Sequence, residues 1–213
     1  MSTLICICSK SPNTFLYKCI ESLYINQIKG DGPYKVCVVD SDSDDFSYYE
    51  KVKESFPDVE LHFIKNRNYE YGAWKYISNT YPNYDRYLCL QDTIIIDSYI
   101  DLNDIDDTTA YTYHNYTGYR SHPAIKEKGV QNLKENGLDC DSFIDTDFVL
   151  AQFCTFAVTN KVMKDIFTTL TVPPVDKDGC CFYERNFGIY FIIKDINTID
   201  LSYYVTKIYG NRQ

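Results

Sequence analysis

Basic residues are scarce in this sequence: 21 Lys and Arg stand against 30 Asp and Glu, a formal net charge of -9. A protein that grips nucleic acid mainly by neutralising phosphates needs the opposite balance, so no nucleic-acid partner is expected. A single anionic small ligand, held by a few local donors, remains compatible with that charge. Long apolar runs are lacking too. None approaches the roughly 20 residues of a spanning helix, so no membrane span is expected. The apolar residues 4–8 are too short, and lack the preceding basic region, to read as a secretory signal. The expectation is a soluble, cytoplasmic protein. A Walker-type glycine loop, a GxGxxG after the first strand and a GxSxG elbow are all missing. The histidines, His62, His114 and His122, are too dispersed to form a recognisable metal site, and none of the 9 cysteines forms a CxxC pair suited to zinc. Most cysteines sit inside apolar runs and read as reduced core residues. The sequon Asn115-Tyr116-Thr117 carries no meaning without a secretory signal.

Tyrosine, by contrast, is abundant, at 21 of 213 residues. Such a surplus suits sugar stacking and equally suits amphipathic core edges. At 45% hydrophobic content the length is that of one domain with a sizeable core, and residues 1–213 are expected to form a single unit. Residues 4–8 and 35–39 are short apolar runs that read as buried strands, and residues 59–64 and 86–90 as two more. Asn13 can cap a helix in which Phe15, Leu16, Cys19, Ile20, Leu23 and Tyr24 share one face; Gly30, Gly32 and Pro33 end it. Weaker helices are expected over residues 48–55 and 71–77. Strand and helix therefore alternate through the first half, which predicts an α/β fold with a mainly parallel sheet covered on both faces. Ligands of such sheets sit beyond the carboxyl ends of the strands. The second half is less regular. Strands are expected near residues 108–114, 148–158 and 201–208, helices over 161–170 and 180–193, and a long loop with one short helix over 118–138.

Three acidic positions mark the edge where a ligand belongs: Asp40 in Val38-Val39-Asp40-Ser41-Asp42-Ser43-Asp44-Asp45, Asp92 in Leu90-Gln91-Asp92-Thr93, and Glu184 in Tyr183-Glu184-Arg185. Taken with Ser22-Leu23-Tyr24-Ile25-Asn26-Gln27, which is like the "SxxNQ" helix end, these segments resemble family-two-type GT-A glycosyltransferases. Residues 39–45 fit that family's VDDGSTD segment, with Asp40, Ser43 and Asp45 matching and Ser41 and Asp42 departing. The resemblance implies a GT-A (Rossmann-like) three-layer sandwich, with residues 1–100 binding a nucleotide sugar and residues 101–213 the acceptor. It implies that Asp40 accepts a hydrogen bond from the nucleotide base, a role that suits an acceptor-only carboxylate. Gly72 would permit close backbone approach to base and ribose, and Lys75, Lys65 or Arg67 would contact phosphate. The family's DxD motif is degenerate here, because Gln91-Asp92-Thr93 keeps one carboxylate; either Asp92 would hold Mn²⁺ or Mg²⁺ on the diphosphate, with Asp97 and Asp101 as substitutes, or transfer would be metal-independent and use cationic side chains.

Glu184 falls where inverting members carry a catalytic base at a helix start, with Asp176 and Asp178 as alternatives. The implied activity is transfer of a sugar from a nucleoside-diphosphate sugar, UDP foremost, to a glycan or other hydroxyl acceptor. Two other readings stay open. Gln91 and Thr93 suit a non-catalytic nucleotide-sugar or glycan-binding module, and a nucleotidyltransferase shares such sheets, although Ser9-Lys10-Ser11-Pro12 offers no glycine-rich loop. The Asp40 loop also has a plain reading as a helix cap, at Asp44 or Asp45.

Overall fold

The computed structural model describes residues 1–28, 33–115 and 123–209. Strand β1 (Thr3–Ser9) is buried along its whole length and lies at the middle of the sheet. Ile5 and Ile7 point into one apolar cluster and Leu4, Cys6 and Cys8 into another, which is why this strand is apolar at every position rather than at alternate ones. Its parallel neighbours are β2 (Tyr34–Asp40) and β4 (Arg86–Gln91), and β3 (Glu60–His62) adds to β2 in parallel. The sheet continues through β7 (Leu150–Thr159), antiparallel to β4, then β6 (Thr109–Asn115) and β8 (Asn197–Asp200), giving the order β3-β2-β1-β4-β7-β6-β8. A separate two-stranded ribbon pairs β5 (Ile94–Ile96) with β9 (Val205–Lys207).

Helices cover both faces. On one side lie α1 (Thr14–Asn26) and α2 (Ser47–Ser55); on the other lie α3 (Tyr69–Thr80), α4 (Pro123–Glu135), α5 (Asn160–Thr169) and α6 (Lys177–Ile193). This is the expected α/β three-layer sandwich with a mostly parallel sheet. Asn13 caps α1 as expected, its Oδ1 accepting the Phe15 N–H at 2.8 Å. Among the described residues no helix is long and apolar enough to cross a membrane. All nine cysteines are free thiols, seven of them buried.

Several expectations need correction. The polar stretch 118–138 contains a helix of 13 residues, α4, opened by Pro123 at a position where a missing N–H costs nothing. Residues 201–208 are a 3₁₀ turn (Leu201–Tyr203) followed by β9, and a strand the sequence did not announce, β8, precedes them. Helix α6 begins at Lys177, so Glu184 lies two turns inside it rather than at its start. His122, Gly30, Gly32 and the sequon beyond Asn115 lie outside the described residues.

One irregularity organises the second half. Between the pairs Thr112↔Phe156 and His114↔Ala151 a single residue intervenes on β6 against four on β7, so β7 bulges over residues 152–155. Phe153 and Cys154 there take φ of 58° and 50°, the left-handed region. Helix α6 packs directly onto the start of β7 because Gly188 has no side chain: a Cβ there would lie 2.2 Å from the Val149 carbonyl oxygen. Gly188→Ala is expected to destabilise the protein by about 1–3 kcal/mol through overpacking, read as a lowered urea midpoint; an unchanged midpoint would mean that the helix can retreat freely.

Candidate active site

The carboxyl ends of β1, β2 and β4 meet in a chain of short polar contacts. Ser9, the last residue of β1, donates its hydroxyl to Asp92 Oδ2 at 2.8 Å, and its carbonyl accepts the Ser41 N–H at 2.8 Å. Asp40, the last residue of β2, is buried and takes three hydrogen bonds. Oδ1 accepts from the Ser43 hydroxyl (2.5 Å) and the Tyr49 hydroxyl (2.6 Å), and Oδ2 accepts from the Ser43 N–H (3.0 Å). Ser43 in turn accepts the Ser11 N–H at 2.8 Å, tying the loop after β1 to the loop after β2. Burial, and then Asp40, push the Tyr49 phenol well above its usual range, so it stays a donor. A carboxylate has about four acceptor positions; with three taken, Asp40 keeps one, on Oδ2. Asp42, which stands at the glycine of the family motif, adopts φ 59°, a conformation glycine takes freely and aspartate tolerates.

Beside this cluster, Gln91 sits between two opposite charges. Its Nε2 donates to Glu70 Oε1 at 2.5 Å and its Oε1 accepts from Lys207 Nζ at 2.5 Å. The same ammonium donates to the Thr93 hydroxyl and lies 4.4 Å from the Phe153 ring centroid. Glu70 also accepts from the Cys180 thiol at 2.9 Å, a thiol that burial and then Glu70 itself keep protonated.

The bulge in β7 faces the same cluster. Its Phe153 N–H donates to Glu184 Oε1 at 3.0 Å, and its Cys154 carbonyl accepts the indole N–H of Trp74 at 3.0 Å. Glu184 is one turn from Gly188 on α6, so the close seating of the helix brings its carboxylate to the bulge. Burial raises the Glu184 pKa to about 7 and Glu70 adds to the rise; the Phe153 N–H, Arg185 and Lys207 oppose it. The residue is nonetheless not fully closed off, and keeps partial exposure to solvent. The rings of Tyr113 and Tyr209 flank Phe153 at 5.4 and 6.3 Å between centroids.

The sequence-derived candidates divide accordingly. Asp40, Ser43, Asp92 and Glu184 all lie in this network or against it. Asp45 instead is exposed and accepts the Ser47 N–H (2.8 Å) in a local turn just ahead of α2, whose N-cap is Phe46. Gly72 admits the Asn66 side chain rather than a ligand, since a Cβ there would meet Asn66 Oδ1 at 2.0 Å. Lys75 contacts Tyr71, 3.3 Å from its hydroxyl. Arg67 makes an exposed ion pair with Asp42, of a kind that contributes little. Asp176 caps α6 through the Gly179 N–H (2.7 Å) and Asp178 pairs with Lys128 (2.6 Å), leaving Glu184 alone of the three candidate bases at the strand ends. Asp97 accepts from Thr206 on the ribbon, and Asp101 caps the 3₁₀ turn Leu102–Asp104. His62 packs between Tyr76 and Tyr81, and His114 lies against Asp200.

Lys207, Glu70 and Ser9 escaped the sequence reading. The one available signal was the lone carboxylate of Gln91-Asp92-Thr93, between two neutral residues at a strand end. A divalent cation does not fit the donor set well. Asp92 supplies one carboxylate, its flanking residues are neutral and engaged by an ammonium, and no group of three potential ligands occurs among the described residues.

A sheet of order β3-β2-β1-β4-β7-β6-β8 with helices on both faces and a polar cluster at the carboxyl ends is a Rossmann-like α/β fold. Among the solved structures it is similar to is that of apo WbbM, a bifunctional glycosyltransferase, with a TM-score of 0.50 and 12% identity over 94% of this chain. The chain spans 38% of that protein's length, and at this identity the likeness speaks to fold alone. No protein-family model and no curated protein matches the sequence.

The raised pKa of Glu184 has a consequence for stability. Between about 4.5, the value in an unfolded chain, and about 7, the native protein holds a proton the unfolded chain has released, so stability falls as pH rises through this window. Glu184→Gln is expected to flatten that decline and to gain on wild type above pH 7, as read from urea midpoints across pH; parallel curves for the two proteins would contradict the burial described.

Proposed function

We propose that the protein is a glycosyltransferase that moves a sugar from a nucleoside-diphosphate donor, UDP-linked in the first instance, to a hydroxyl of a glycan acceptor with inversion. The observation that carries this reading is Glu184: a mostly buried but still accessible carboxyl at the edge of the polar cluster, oriented by the Phe153 N–H, its pKa pushed up to about 7 by burial. A base poised there is ionised in part at neutral pH and still basic enough to take a proton from an attacking hydroxyl. The family resemblance and the fold support the assignment. Residues 1–100 hold the donor in this reading, with a base N–H on the remaining acceptor position of Asp40 Oδ2 and the diphosphate beyond Ser9 and Asp92. The acceptor lies over Glu184, where Phe153, Tyr113 and Tyr209 offer rings to the C–H face of a pyranose. The hydroxyl then attacks the anomeric carbon from the face opposite the diphosphate.

The neutral Gln91 and Thr93 favour a second reading, a module that binds a nucleotide sugar without consuming it. Titration calorimetry with UDP and GDP, followed by turnover across a panel of nucleotide sugars, separates the two. We expect UDP to bind, Asp40→Ala to weaken it, and Glu184→Gln to lower turnover about 100-fold or more with binding retained, within the usual range for a general base. Turnover in wild type is expected to rise with pH through about 7 as Glu184 ionises. Binding without turnover selects the module, and absence of binding by either nucleotide at millimolar concentration sinks both readings.

A further inference from the structure

We infer that Lys207 is the leaving-group cation of this site, and that transfer proceeds without a divalent metal. The inference rests on the glycosyltransferase reading and concerns how the diphosphate is stabilised. Lys207 reaches the end of β4 from the ribbon strand β9, where its backbone is registered against Ile94. Its ammonium bridges the side chains of Gln91 and Thr93, the two residues that flank Asp92. Those are the positions at which the family resemblance expects metal-binding carboxylates. Lys207 offsets the charge of Asp92, and Glu70, on the other side of Gln91, leaves the cluster with a further carboxylate. The side chain is also confined, with Phe153 beneath it and the Glu184 carboxyl close enough to be influenced by it, so it stands on the base's side of the strand end.

Gln91 and Thr93 are neutral acceptors, and hydrogen bonds from an ammonium to a phosphate are stronger than those to an amide or hydroxyl. A diphosphate arriving at this edge offers Lys207 stronger acceptors than these two side chains. In the transfer step the acceptor O–H proton passes to the Glu184 carboxylate and the acceptor oxygen bonds to the anomeric carbon. The bond from that carbon to the β-phosphate oxygen breaks with its electron pair left on the phosphate, and the Lys207 ammonium hydrogen-bonds the charge that develops there.

The test measures binding and turnover in the presence of a chelator, with Lys207→Met and Lys207→Arg compared to wild type and their folding checked by thermal melts. In chelator, wild type is expected to bind UDP and inorganic pyrophosphate. Lys207→Met should bind both about 10- to 100-fold more weakly, the range for a charged hydrogen bond, and Lys207→Arg should recover much of the loss. Wild-type turnover should survive chelation and fall in Lys207→Met mainly through kcat. The inference is overturned if pyrophosphate and UDP bind Lys207→Met as tightly as wild type, or if chelation abolishes turnover and Mn²⁺ restores it. Pyrophosphate bound in a Lys207-dependent way without any sugar-nucleotide turnover would uphold the cation site while removing the glycosyltransferase reading.

Discussion

Two consecutive residues in the left-handed conformation, Phe153 and Cys154, are the constraint on which the candidate site depends. Each costs on the order of 1–2 kcal/mol for a residue with a side chain, and neither is glycine. They are held by contacts from separate parts of the chain: the only tryptophan donates its indole N–H to the Cys154 carbonyl, and Glu184 accepts the Phe153 N–H. Without the bulge, β7 would continue in register with β6 and its N–H groups would lie in the sheet plane. With it, one N–H and one aromatic ring are turned to the polar edge, and the ring in turn meets Lys207, Tyr113 and Tyr209. Backbone strain of this kind persists where the surroundings over-determine it, and Gly188 completes the enclosure by letting α6 lie against the strand.

The first half of the fold is legible in the sequence because its rules are local. Strands β1, β2 and β4 are buried on both faces and so read as apolar runs, and α1 shows its cap and its stripe within a dozen residues. Helix α4 was illegible for the opposite reason. It buries Lys126 and Asn132 beside Val130 and Leu133, and Gly129 lies against Phe182 and Asn186 on α6, so its inward face looks polar and broken in sequence.

The site was half legible. Asp40, Asp92 and Glu184 stand in motif-like segments, and a residue that ends a buried strand with a carboxylate draws notice. What holds Asp40 was not visible, because the phenol comes from nine residues away on a helix whose sequence is otherwise solvent-like. Lys207 was beyond reach, lying 116 positions from its partner Gln91 in a stretch that reads only as a final strand. The bulge gave no signal either, since phenylalanine and cysteine are strand formers and nothing in their identity declares a positive φ.

The ribbon that carries Lys207 differs in kind from the sheet that carries the carboxylates. Its strands are three residues each and pair only with one another, whereas β1 and β4 are locked between neighbours on both sides. What anchors the ribbon is packing rather than sheet pairing: Ile94, Ile96 and Val205 are buried, and Ser22 and Asn26 of α1 bond the backbone of Ile96. The ammonium and the carboxylates are thus held in place by different means, one through a helix that packs on a ribbon, the others through the ladder of the sheet.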